Sequence, residues 1–155
     1  MGVYRQSSPP VHVKIPVLPY VQKVMLHEYG PEPIFVSGQT LLGKYFHSFP
    51  LDFPELEDVK VHGVVMVFAI NRNLYSHFKQ YNTLFQCGCY FEKVVQRMLL
   101  QHIEAARRFD AKILDAIEDF FEMYGITEEE WRMDAAYELW KSHKKKRAKH
   151  LGKVS

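Results

Sequence analysis

From Phe91 onward the apolar residues recur every three or four positions, and this period commits the second half of the chain to helix. Phe91, Val94, Val95, Met98, Leu99, Ile103 and Ala106 share one face, and Ile113, Ile117, Phe120, Phe121 and Tyr124 continue it. A stripe of that width must be buried against another layer. Asp110 stands between the two sets as a candidate cap, which leaves one long helix or two open. Gly125 is a stop signal. Beyond Ile126, residues Thr127 to Glu130 read as a capping box. The Thr127 hydroxyl would accept the Glu130 amide, and the Glu130 carboxylate would reach back to the Thr127 amide. A last helix would start there, with Trp131, Ala135 and Leu139 inward. Acids at its start and lysines at its end suit the helix dipole.

The first half reads differently. Val11, Val13 and Ile15 alternate with His12 and Lys14, a half-buried strand ended by Pro16. Pro19 can open a helix that aligns Val21, Val24, Met25 and Tyr29, and Gly30-Pro31 closes it. Residues 34–36 form a second short strand. Residues 59–70 are β-branched and then continuously apolar, the pattern of a central strand. Between these, residues 40–49 read as a helical arm or an irregular turn, and residues 50–58 as a loop. Asn71 and Asn73 end the long strand and offer a cap for a helix over residues 74–81. Strands early and helices late give an α+β fold: a small N-terminal sheet, expected to be antiparallel, and a helical C-terminal half with a basic tail. Residues 1–10, with Ser7, Ser8, Pro9 and Pro10, are expected to be a flexible leader, 11–140 one domain and 141–155 the tail. The 22 aromatics can build a core without disulfides or metals.

The net charge of +2 hides an asymmetry. Residues 141–155 carry seven of the 20 Lys and Arg and no acid, so the remaining thirteen bases face 18 acids, a net of −5. A basic end on an acidic body points to an anionic partner or to a solvated terminus. Cys87 and Cys89 are the only cysteines, no signal-peptide pattern opens the chain, and the longest uncharged apolar run covers only residues 63–70. A membrane span needs about 20 apolar residues. The expectation is a cytoplasmic protein without a membrane partner.

Catalytic and metal signatures are weak. Cys87-Gly88-Cys89 lacks zinc spacing and a second ligand pair, and reads as small buried side chains at a tight helix start. Neither His77 nor His102 stands at a spacing that marks a cysteine–histidine nucleophile. The carboxylates Glu118, Asp119 and Glu122 fit the polar face of a helix. Gly38 and Gly43 match no phosphate loop. No cofactor, metal site or catalytic residue is expected, and a non-enzymatic role follows. His62 and His77, beside the central strand, are the positions to inspect for the contrary.

The stretch 120–127, FFEMYGIT, resembles the centre of a helix-turn-helix unit: a helix, a glycine turn, an apolar plug and a Thr cap. YGITEEE, followed by an aromatic helix and a Lys/Arg run, also looks like small uncharacterised proteins of bacterial phages and mobile elements. That resemblance implies a DNA-related role and transfers no catalytic residue. The start of the second helix is acidic, so base reading there is disfavoured. The basic residues Lys141, Lys144, Lys145, Arg147 and Lys149 would contact phosphates instead. The leading expectation is a small DNA-associated accessory or regulatory protein. The alternative is a protein-interaction or assembly module forming a homo-oligomer, which the aromatic content favours.

Overall fold

Strand β3 (Val64–Ile70), a continuously apolar run, lies at the centre of the sheet. The computed structural model describes residues 9–37, 64–72 and 81–152. Strand β1 (Val11–Val17) pairs antiparallel with β3, placing Val11 opposite Ile70 and Val17 opposite Val64. Strand β2 (Ile34–Val36) pairs with β3 on its other side, in parallel, with Ile34 opposite Phe68. The sheet is therefore mixed, in the order β1-β3-β2, rather than purely antiparallel. β2 therefore runs opposite to β1. Pro16 does not end β1. An edge strand can hold a proline where no ladder donor is required.

Helix α1 (Pro19–Tyr29) starts with proline at its first position, where a missing amide costs nothing. It buries Tyr20, Val21, Val24 and Met25 and ends at Gly30, which has φ +88°. Helix α2 (Tyr81–Arg107) buries Phe91, Val95, Leu99 and Ile103 against the inner face of the sheet, where Val13, Ile15, Val17, Met66, Phe68 and Ile70 point. The Phe68 and Phe91 rings stack with centroids 5.5 Å apart. Helix α3 (Ile113–Tyr124) adds Ala116, Ile117, Phe120 and Phe121. Helix α4 (Met133–Gly152) closes the structure with Ala136 and Trp140.

The helical run from Phe91 is thus two helices. Asp110 is not the cap of the second: the N-cap is Lys112, and Asp110 sits in the left-handed region at φ 59°. The Asp110 amide donates to the Arg107 carbonyl and the Ala111 amide to the Ala106 carbonyl, a Schellman ending in the position usually given to glycine. Asp110→Gly is accordingly expected to raise stability by about 1 kcal/mol, since the left-handed conformation penalises a Cβ. A rise of roughly 2–4 °C in the thermal midpoint would record it. The second such ending, at Gly125 (φ 67°), is complete: Gly125 N donates to Glu122 O at 3.3 Å and Ile126 N to Phe121 O at 2.8 Å.

The capping box takes another form. Helix α4 begins at Met133, not after Thr127. The Thr127 hydroxyl donates to Glu130 Oε1 at 3.0 Å, while the Glu130 and Trp131 amides both donate to the Thr127 carbonyl. Glu130 cannot reach back because Lys23 of α1 claims it at 2.5 Å, and the same ammonium holds the Gly125 carbonyl at 2.6 Å. Glu128 supplies the cap instead, accepting the Met133 amide at 3.1 Å. Trp131 is therefore buried in a turn, outside the helix, and the inward stripe of α4 is Ala136 and Trp140, flanked by the partly buried Met133, Tyr137 and Leu139. Ala135 is exposed.

Gly88 lies within α2 rather than at its start. A Cβ there would overlap the Pro16 carbonyl oxygen and stand 3.3 Å from its carbon, so helix and strand touch backbone to backbone. The expected leader (except residues 9 and 10), the segments 40–49, 50–58 and 59–63, the helix over 74–80, Asn73 and residues 153–155 lie outside the described residues.

Candidate nucleic-acid interface

Helix α4 crosses from residue 140 to 141 without a break, so its basic half is a continuation of a packed helix. The packing stripe simply turns polar. After Trp140 its next members are His143 and Arg147, and both reach Glu104 of α2, at 3.1 Å and 2.8 Å. One carboxylate thus holds two turns of α4 to α2. Such a pair, half open to solvent, contributes about 0.2–1 kcal/mol, enough to orient a helix end but little more.

That docking sorts the five expected cations. Arg147 faces α2 and is partly neutralised by Glu104. Lys141 lies 4.7 Å over the Tyr137 ring and 3.4 Å from Glu138. Lys144, Lys145 and Lys149 are exposed and form no ion pair with any described residue. Lys141, Lys145 and Lys149 follow at four-residue intervals along the solvent side, with Lys144 at the margin of that row and Arg147 set apart from it.

Between α2 and α4 runs a groove of about 470 Å³, lined by Lys93, Arg97, Leu100, Glu104, Leu139 and His143 among others. A second recess of about 450 Å³ continues it past Glu104 and His143 to Lys146, Arg147 and His150. Sequence reasoning missed Lys93 and Arg97. Their signal was available: Lys93, Arg97, Leu100 and Glu104 recur at four, seven and eleven residues, a second stripe on the flank of α2 away from its core face. The opposite charge is segregated elsewhere. Asp115, Glu118, Asp119 and Glu122 line the exposed side of α3, with Asp119 3.0 Å from His102.

The helix-turn-helix likeness is only partial in geometry. Ile126 is the buried plug expected after the glycine. The connection from Gly125 to Arg132 runs to eight residues, however, against the three or four of a recognition unit. Exposed Glu128 and Glu129 flank the start of α4.

Other chemistries gain little from the structure. Burial pushes the Cys87 thiol up to about 12, so it stays protonated, and burial followed by the Glu92 charge raises Cys89. Among the described residues no group of three or more His, Cys, Asp or Glu could hold a metal ion. None of the described helices is long and apolar enough to cross a membrane. His62 and His77 lie outside the described residues. No family model matches the chain, and no curated protein or solved structure matches it.

Proposed function

We propose that this is a small DNA-associated accessory protein that holds nucleic-acid phosphates along α4 and does no chemistry on them. One observation carries the reading: Lys144, Lys145 and Lys149 are held out to solvent without acidic partners among the described residues, on a helix whose other side is docked. Lys141 to Lys149 spans about 12 Å of helix, and phosphates recur about every 3.4 Å of axis on each DNA strand. Lys93, Arg97 and Lys146 widen the basic surface. The acidic side of α3 repels phosphate and so sets which face approaches. Contacts of this kind fix affinity and carry little sequence information. The likeness to proteins of phages and mobile elements points the same way.

The test is fluorescence anisotropy on a labelled mixed-sequence duplex at about 50 mM salt, comparing the intact chain with K144E/K145E/K149E. Three reversed charges at roughly 1 kcal/mol each should weaken binding on the order of 100-fold, with the circular dichroism spectrum unchanged. Equal affinity for both proteins would remove α4 as the contact.

A second reading, a homo-oligomer, is favoured by the outer face of the sheet, where Phe35 is 58% and Val65 47% exposed. Large apolar side chains on one open face suit a two-fold contact. Sedimentation over a concentration series decides it, since a strict monomer would end this reading.

A further inference from the structure

The turn joining α2 to α3 presents Phe109 at 86% exposure, the most exposed of the large apolar side chains described. Arg107, Arg108 and Lys112 surround it, exposed and without an ion pair to any described residue, and Asp110 is the one acid among them. The turn is built rather than loose, because its two Schellman bonds fix the backbone on either side of Phe109.

A lone exposed phenylalanine is ordinary, and cations at a helix C-terminus answer the dipole. Arg107 and Lys149 have that explanation. Lys112 does not. It occupies the N-cap of α3, makes no side-chain cap there, and places a positive charge where the dipole is already positive. Neither capping nor the helix dipole accounts for a lysine at that position.

The tip also joins the α4 surface. The groove follows α2 from Lys93 to Glu104 while α4 advances from Leu139 to His150, so the two helices run in the same direction. Arg147 bonds Glu104, and Arg107 and Arg108 lie one turn further on. The C-terminal half of α4 is therefore directed toward the end of α2 that carries the Phe109 turn.

We infer that this turn is a base-stacking tip: Phe109 takes an unpaired base, and Arg107, Arg108 and Lys112 hold the neighbouring phosphates. The inference rests on the reading of α4 as a phosphate contact and names the substrate class of that surface, nucleic acid with single-stranded character. Rings stack on any base and cations track the backbone, which is how single strands are held without sequence preference. Leu114 and Leu151 are exposed too, so an anionic bilayer is the competing ligand. A flat surface touching the tip would leave the lysines along α4 unused, whereas a strand laid along the helix uses both.

The test measures the intact protein, F109A and F109W on labelled oligo-dT, on a mixed duplex and on phosphatidylserine vesicles. Phe109 makes little contact with the core, so F109A should melt like the intact protein. Oligo-dT affinity is expected to fall about tenfold or more in F109A and to be kept in F109W, with duplex affinity unchanged. If F109A binds oligo-dT like the intact chain while the duplex is still bound, the stacking tip is wrong and the phosphate reading of α4 survives. If neither nucleic acid binds, both fall. Vesicle binding that depends on Phe109, without oligo-dT binding, would make the tip a membrane contact and overturn the inference.

Discussion

Trp131→Ala is expected to remove about 3–5 kcal/mol of stability, the usual cost of emptying a buried aromatic site. Trp131 lies in the turn before α4, yet two other helices meet on it. Its ring stacks on Tyr20 of α1 at 4.2 Å and 22°, and tilts over Phe121 of α3 at 5.5 Å and 32°. Each such pair adds about 0.5–1.5 kcal/mol beyond the area it buries. Total stabilities run to about 5–15 kcal/mol, so this change takes roughly a fifth or more of the whole. The thermal midpoint should fall by roughly 10 °C, at about 2–4 °C per kcal/mol for a chain of this size. Trp131→Phe should recover about half. A loss below about 1 kcal/mol for the alanine variant would show that the turn does not anchor α4.

Gly88→Ala is the second large effect, and here two terms oppose. Alanine inside a helix is favoured over glycine by about 1 kcal/mol. The new methyl, however, overlaps the Pro16 carbonyl oxygen, and that obstacle is backbone within a strand paired to β3. It cannot rotate aside as a side chain would. Overpacking costs about 1–3 kcal/mol and more where the neighbour is rigid. The net is a loss of about 2 kcal/mol or more, read as a shift of the urea midpoint with unchanged slope. A stabilised variant would mean that α2 does not rest on β1 at this point.

How far the sequence was legible depended on how local the signal was. The apolar stripe of α2, the proline start of α1, the glycine ends of α1 and α3 and the central position of β3 were all readable, because spacing and backbone preference decide them. The parallel seat of β2 was not, since three residues carry no directional signal and the connecting path decides. The capping box failed for a tertiary reason: Lys23 lies 107 residues from Glu130 in the chain and takes the carboxylate that the local pattern assigns to the Thr127 amide. With Trp131 thereby left in a turn, the fully buried positions of α4 fell on Ala136 and Trp140, Leu139 packs at their flank, and Ala135 is exposed. Gly88 read as part of a tight helix start because its neighbour, Pro16, is distant in the chain.

The candidate surface divides in the same way. The lysine run was plain from composition. Which of its members face solvent depended on Glu104, a residue of another helix, and the contribution of Lys93 and Arg97 required knowing that α4 lies alongside α2. The Phe109 turn was hidden because Asp110 in a left-handed position is a less common ending than glycine, and a phenylalanine in a periodic helical stretch reads as core.

The most direct measurement is the salt dependence of duplex binding by the intact chain, from about 50 to 300 mM. Each phosphate neutralised contributes about −0.9 to the slope of log affinity against log salt. Lys144, Lys145 and Lys149 alone set a slope of about −2.7, and the flanking cations make it steeper. A slope of that size, flattened in K144E/K145E/K149E, is the predicted result. No binding at the lowest salt, or binding whose affinity does not change with salt, would contradict the claim that α4 holds nucleic-acid phosphates.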